Sequence, residues 1–188
     1  MFNRGFKSQC ERRAVEFRRQ LGVAPTGALM ADALAKHIGV TVWSTHQVAG
    51  LDSRDMDVLS NEADQSWSAL TMRMGSEHLV VYKPVSSKGR RNNVIMHELS
   101  HIILGHELAQ ACVLEDGSLV PGNFNQDQED EADWLAGALL LPRPALLNIR
   151  HSGQLPSDAC AQFCVSNEML TWRMRMTGVD YQLARSRV

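Results

Sequence analysis

Two histidines and a glutamate stand close together in the segment NNVIMHELSHIILGH, residues 92–106. On an α-helix, His97 and His101 are four positions apart and lie on the same face, so both imidazoles can bind one metal ion. Glu98 projects beside them, and in an H-E-x-x-H pattern this glutamate takes the proton of the water that the ion activates. The spacing therefore predicts a hydrolytic metal centre with Glu98 as the catalytic base.

The same residues also have a purely structural interpretation. Apolar residues surround the histidines, so the helix is expected to be largely buried, and most buried histidines only hydrogen-bond to a neighbour. Three ionisable side chains on one face of such a helix are, however, hard to satisfy without an ion. Because chance produces this pattern in about one per cent of chains of this length, we favour the metal centre.

A catalytic zinc ion normally has three protein ligands, so the third must come from another segment. In QDQEDEADWLAGALLLP, residues 126–142, Glu129 and Asp133 are four positions apart on one helix face. Glu129 is the predicted third ligand, and Asp133 is predicted to accept the N–H of a ligand histidine and so fix its tautomer. Glu131 competes with Glu129 for the ligand position. His106 is predicted to act at the helix terminus or to contact a ligand instead of the ion.

The helices that must carry these residues follow from the spacing of apolar side chains. One helix carries the histidine pattern after the turn-rich PVSSKGRRNN, whose basic residues Lys88–Arg91 are predicted to be a solvated loop. The segment 144–178 is predicted to form two or three short helices, the last capped by Ser166. Further helices are predicted at about 6–21, 28–37 and 128–141.

The strands and loops complete a small α+β fold. Strands are predicted at 40–43, 68–74 and 77–83, the last two joined as a hairpin through Gly75 and Ser76. Residues 44–65 and 115–128 are predicted to be loops. The expected architecture is a small antiparallel sheet of about three strands packed among helices.

Composition limits the class of protein. The chain has 188 residues, 44% of them hydrophobic, which suffices for the core of one domain. A formal net charge of −2 gives no general attraction to nucleic acid or anionic membranes. No apolar run reaches the roughly 18 residues of a membrane span and no signal peptide is evident, so a soluble, cytoplasmic protein is expected. The four cysteines fit reduced thiols, although Cys160 and Cys164, one helical turn apart, are an alternative metal pair.

The paired segments MHELSHIILGH and EDEADWLAGALLLP resemble the two hallmark helices of the ImmA/IrrE family of metallopeptidases. The resemblance covers about residues 28–142, including LAKHIGVTVW, and CVSNEMLTWRM is similar to the family's C-terminal helix. Ser100 and the pair Trp134-Leu135 depart from the commonest pattern without touching a proposed ligand.

This resemblance implies a zincin-like core with a helical C-terminal extension and a gluzincin-like site. His97, His101 and Glu129 would then be the ligands and Glu98 the general base, with Zn²⁺ as the cofactor and Mn²⁺ as the alternative ion. It also implies a protein substrate, a helix-turn-helix repressor of the XRE type, cut at one site in response to stress or mobile-element signals. No direct binding to nucleic acid or to a membrane is expected.

The whole chain, 1–188, is predicted to be a single metallopeptidase domain, with an N-terminal helix in 1–27, a catalytic core in 28–142 and a C-terminal helical region in 143–188. A regulatory module that binds a repressor without cutting it, and a hydrolase of small molecules, remain alternatives. DNA binding by SNEMLTWRMRM is disfavoured, since Met and Trp at helical spacing indicate packing. Tyr82 and His78 are candidates for a second oxyanion donor, although a structural role suits each better.

Overall fold

The computed structural model describes residues 2–50, 67–84, 87–107, 111–113, 119–121, 125–180 and 182. Within these ranges the chain forms seven α-helices and five strands, which confirms the predicted α+β class. The helices are α1 Phe6–Gln20, α2 Ala31–His37, α3 Lys88–Leu104, α4 Gln126–Leu140, α5 Arg143–Ser152, α6 Pro156–Phe163 and α7 Asn167–Thr177. The strands are β1 Val40–Ser44, β2 Ala69–Met74, β3 Glu77–Tyr82, β4 Ala111–Val113 and β5 Leu119–Pro121. Every helix in the described ranges is too short or too polar to cross a membrane.

The main sheet has the order β1-β3-β2. The predicted hairpin is present, with β2 antiparallel to β3 and Ala69 opposite Tyr82. Strand β1, however, runs parallel to β3, with Val40 opposite His78, so the sheet is mixed and the wholly antiparallel prediction is wrong for this pair. The reason is that β3 carries three consecutive buried residues, 79–81, and such a strand is stable only in the centre of a sheet, with a partner on each side.

Helix α3 begins earlier than predicted, because Lys88–Arg91 form its first turn and not a loop. The Ser87 side chain caps the helix by accepting a hydrogen bond from the Arg90 backbone N–H. Arg91 then makes a paired contact with Asp32 in α2, at 2.6 and 2.9 Å, and its guanidinium lies 4.7 Å from the centre of the Tyr82 ring. These long-range partners hold the basic turn against the protein.

Helix α4 packs against α1, α3 and α7 and is the most enclosed helix of the site region. Its last turn is held by two buried arginines. The Arg18 guanidinium donates to the carbonyl oxygens of Leu139, at 2.7 Å, and Leu140, at 3.3 Å, and Arg173 donates to Leu141. These donors satisfy carbonyls that a helix C-terminus leaves without partners. Burial lowers the pKa of Arg18 to about 10, so that it remains charged at neutral pH.

The C-terminal region follows its prediction more closely than the loops do. Three helices, α5 to α7, fill it, and Ser166 caps α7 by accepting from the Met169 N–H at 3.1 Å. Cys164 ends α6 in a left-handed conformation, so it does not share a continuous helix with Cys160.

Strand β5, paired antiparallel with β4, occupies part of the predicted loop 115–128. In the predicted loop 44–65, Thr45–Gln47 form a 3₁₀ turn, and residues beyond 50 lie outside the described part.

Candidate metal centre

Helices α3 and α4 lie side by side and bring His97, His101 and Glu129 together. Nε2 of His97 lies 3.0 Å from Nε2 of His101 and 3.2 Å from Oε2 of Glu129. The third side of this triangle, from His101 Nε2 to Glu129 Oε2, is 3.6 Å. In the described residues, these three form the one group whose ligand atoms all lie close enough to hold a metal ion, within 4.8 Å of one another. The structure thus assembles the trio that the helical spacing predicted.

The donor atoms fit a tetrahedral zinc ion in both chemistry and spacing. Two imidazole nitrogens and a carboxylate oxygen are a usual ligand set for a catalytic zinc. Zinc–ligand bonds of about 2.0–2.1 Å at tetrahedral angles place neighbouring ligand atoms about 3.3 Å apart. The three separations given above lie on both sides of that value. With both ring nitrogens deprotonated, three acceptor atoms at such distances repel one another unless a cation lies between them.

Asp133 lies where its predicted role requires. Its Oδ1 is 2.8 Å from Nδ1 of His97, on the side of the ring that faces away from the cluster. A carboxylate accepts hydrogen bonds, so when His97 is neutral its proton belongs on Nδ1 and the lone pair on Nε2 points towards His101 and Glu129. Asp133 therefore fixes the tautomer that a metal ligand needs.

The charges of the cluster favour a cation at its centre. Burial by itself lowers the pKa of His97, but hydrogen bonds to Asp133 and Glu129, together with the charge of Glu98, raise it to about 10. Burial and the neighbouring His97 charge lower the pKa of His101 to about 4. The hydrogen bond from His97 lowers the pKa of Glu129. One positive charge is thus stable among these residues, and a metal ion supplies that charge when it replaces the proton.

Glu98 lies next to the ligands and meets the sheet. The hydroxyl of Thr71, a buried residue of edge strand β2, donates to Oε2 of Glu98 at 2.5 Å. Burial raises the pKa of Glu98, although the Thr71 bond opposes this shift. A carboxylate with a raised pKa takes up a proton more readily and can release it again. The sequence analysis did not predict a role for Thr71. The signal that could have identified it is a single polar residue between Leu70 and Met72 in a predicted strand.

Glu131 and His106 take up positions behind the ligands. Oε2 of Glu131 is 3.2 Å from Nε2 of His106, and Nδ1 of His106 is 3.0 Å from Nδ1 of His101. Glu131, the competitor for the third ligand position, therefore bonds to a histidine and is not in the ligand trio. Its position two residues after Glu129 turns it to a different face of α4. His106 contacts a ligand, which was one of its two predicted roles.

The chain matches the model of a known family. The family model Peptidase_M78, described as IrrE N-terminal-like domain, matches residues 52–175. That range contains both α3 and α4, and with them the ligand trio, Glu98 and Asp133. No curated protein matches the chain.

Proposed function

The chain belongs to this peptidase family, IrrE N-terminal-like domain, whose model matches well over half of its 188 residues, and from this we propose that it is a zinc-dependent endopeptidase. One observation carries the proposal. The ligand atoms of His97, His101 and Glu129 lie within 4.8 Å of one another, close enough to share one metal ion. Thr71 holds Glu98, the glutamate of the H-E-x-x-H pattern, beside this trio. A site that only bound a metal would not need that glutamate.

In this mechanism His97 and His101 would hold the ion through Nε2 and Glu129 through its carboxylate. Bound Zn²⁺ supplies a Lewis acid that polarises the scissile carbonyl and lowers the pKa of water. Glu98 accepts a proton from the attacking water as its oxygen bonds to the carbonyl carbon. Glu98 then gives the proton to the peptide nitrogen as the C–N bond breaks, which leaves one carboxylic acid and one amine. Asp133 keeps His97 in the tautomer that binds the ion throughout.

A protein substrate has a natural place to bind. In the described part of the chain β2 pairs with β3 alone, so the other edge of β2 is open. Thr71, which contacts Glu98, belongs to this edge strand. An extended substrate segment that adds to β2 as a further strand would run past the catalytic glutamate. Backbone hydrogen bonds would then fix its register, and side-chain contacts would select the bond to be cut.

We extend the proposal to the substrate class. The resemblance to the ImmA/IrrE family supports an XRE-type helix-turn-helix repressor, cut at one site in a stress or mobile-element response. Zn²⁺ is the proposed ion and Mn²⁺ the alternative, since two imidazoles and one carboxylate suit both, with zinc preferred. The rival function is a module that binds the repressor without cutting it, so cleavage of the repressor distinguishes the two functions.

The test compares the wild type with Glu98→Gln. Each protein is incubated with Zn²⁺ and an XRE-type repressor that is encoded beside it. Cleavage is read on a gel and the fragments by mass spectrometry. Gln still accepts the Thr71 hydrogen bond but takes no proton, so zinc binding should persist while the single cut is slowed by about 10²- to 10⁴-fold. Glu16→Gln, at a partly exposed position on α1, is the matched control and should cut normally. A repressor that is bound but stays whole with zinc-loaded wild type would favour the non-cleaving module instead.

A further inference from the structure

His101, the second proposed ligand, is backed by another histidine where His97 is backed by a carboxylate. The Nδ1 atoms of His101 and His106 are 3.0 Å apart, with their rings edge to face at a centroid distance of 5.0 Å. The other nitrogen of His106, Nε2, lies 3.2 Å from Glu131 Oε2. The His106 side chain is only 6% exposed. A hydrogen-bonded relay of three side chains, Glu131, His106 and His101, therefore runs from α4 to the back of His101, with Glu131 partly exposed at its outer end.

The end of α3 places His106 in this position. Gly105 has φ 70°, a left-handed conformation that glycine adopts without strain, and it turns the chain back at the helix C-terminus. The His106 N–H then donates to the carbonyl oxygen of His101 at 3.0 Å. This bond holds the two histidines next to each other, so that their rings meet on the side of His101 away from the ligand trio.

The proton positions in this relay of side chains follow from which atoms can donate a hydrogen bond. Ionised Glu131 only accepts, so His106 must carry its proton on Nε2. Its Nδ1 is then an acceptor, and the facing Nδ1 of His101 must be the donor. The lone pair of His101 is left on Nε2, the atom that faces His97 and Glu129. The other tautomer of His101 would set two lone pairs 3.0 Å apart and direct an N–H into the cluster.

We propose that His106 and Glu131 are positioning residues that hold His101 in its metal-binding tautomer and orientation, with Glu131 acting through His106. Each ligand histidine would then be oriented by a carboxylate of α4, His97 directly by Asp133 and His101 through a neutral histidine. This inference rests on the proposed function, because it takes His101 to be a metal ligand. It gives a role to His106 and Glu131, which the proposed mechanism does not use.

The experiment measures the zinc dissociation constant by competition with a chromophoric chelator at one fixed pH. His106→Leu removes the hydrogen bonds of His106 to His101 and to Glu131, and Glu131→Ala removes the carboxylate that His106 contacts. Each substitution should weaken zinc binding by about 10- to 100-fold. His106→Gln keeps one acceptor and one donor and should stay within about 3-fold of the wild type. His151→Leu, at an exposed histidine on α5, is the matched control and should not change the constant.

A second readout follows the proton itself. In the zinc-loaded wild type, ¹⁵N NMR of the histidine rings should place the His101 proton on Nδ1 and the His106 proton on Nε2. A folded His106→Leu or Glu131→Ala variant that binds zinc as tightly as the wild type, or a His101 proton found on Nε2, would overturn the relay.

The two proposals fail in different ways. A wild type that binds zinc but cuts no repressor counts against the peptidase function and leaves the relay intact. A wild type that cuts, with a His106→Leu variant of unchanged zinc affinity, counts against the relay alone. A wild type that binds no zinc overturns both.

Discussion

The Glu98 carboxylate is controlled from the sheet, although it belongs to a helix. A glutamate side chain has three rotatable bonds, and the hydroxyl of Thr71 restricts them by donating to Oε2 at 2.5 Å. The same bond stabilises the ionised form, since a donor favours the charged carboxylate. Burial acts in the opposite direction and raises the pKa of Glu98. The proposed base is therefore oriented by one strand residue, and the surrounding protein raises its pKa.

Replacing Thr71 with Val should reduce catalysis without emptying the metal site. Val has the same branched shape and lacks the hydroxyl, so only the bond to Glu98 is lost. A hydrogen bond to a charged group contributes about 1.5–3 kcal/mol, which corresponds to a fall in kcat/KM of at least about 10-fold. Repressor cleavage measured at known zinc occupancy would show this, with Thr71→Ser, which keeps the hydroxyl, as the control. Full activity in the Val variant would mean that Glu98 does not depend on this contact.

The sequence predicted the site residues that local spacing can specify. His97 with His101, and Glu129 with Asp133, are pairs four positions apart, and a helix puts both members of such a pair on one face. The bond from Thr71 to Glu98, and that between His106 and Glu131, join residues of different elements. Their meeting depends on how α3 packs on the sheet and on α4. No periodicity within one segment contains that information.

Helix α4 carries Glu129 and Asp133, so its packing sets the geometry of the site. Gly137, in the middle of the helix, lets α7 approach closely. A Cβ atom there would lie 2.5 Å from Cζ3 of Trp172 and 2.7 Å from Cδ of Arg173. The Trp172 ring also packs edge-on against Trp134, at a centroid distance of 5.7 Å. Helix α7 therefore supports the helix that carries the proposed third ligand, Glu129.

Gly137→Ala should destabilise the protein, against the expectation from helix propensity. Alanine in a helix interior is favoured over glycine by about 1 kcal/mol. The added methyl group, however, would overlap two side chains in a closely packed contact, and overpacking costs about 1–3 kcal/mol. Because the clash distances are well below any van der Waals contact, we expect a net loss of about 1–2 kcal/mol in the free energy of unfolding by denaturant. In a Trp172→Leu background the same change should cost less, and an equal cost would show that the ring is not the obstacle.

The elements that were predicted wrongly share a cause. The basic turn 88–91 is polar and lacks apolar periodicity, which predicts a loop, but Asp32 and Tyr82 hold it as helix from outside the segment. The direction of β1 depends on which strand takes the centre of the sheet, and strand periodicity does not determine the order of strands. In both cases long-range partners decided, whereas the boundaries of α1, α4 and β3 were predicted well because each carries its own apolar pattern.

In the molecule as a whole, the proposed ion would link two helices that already pack against each other. His97 and His101 belong to α3 and Glu129 to α4, and α4 in turn contacts both α1 and α7. These contacts join α4 to helices from both ends of the described part of the chain, and the single domain over 1–188 stays a prediction. A ligand bound at the α3–α4 contact should consequently stabilise the fold as a unit, and not the site alone.

Zinc should therefore raise the melting temperature. At a free zinc concentration of about 100 times the dissociation constant, a ligand that binds only the folded state adds about 2.7 kcal/mol. For a chain of this length each kcal/mol shifts the melting temperature by about 2–4 °C, so a rise of about 5–10 °C is expected over the chelator-treated protein. Differential scanning calorimetry with and without zinc measures it. Glu129→Ala, which removes the ligand that joins α4 to the site, should lose most of the rise, whereas Glu98→Gln should keep it. An equal rise in the Glu129→Ala protein would place the stabilising zinc elsewhere on the chain.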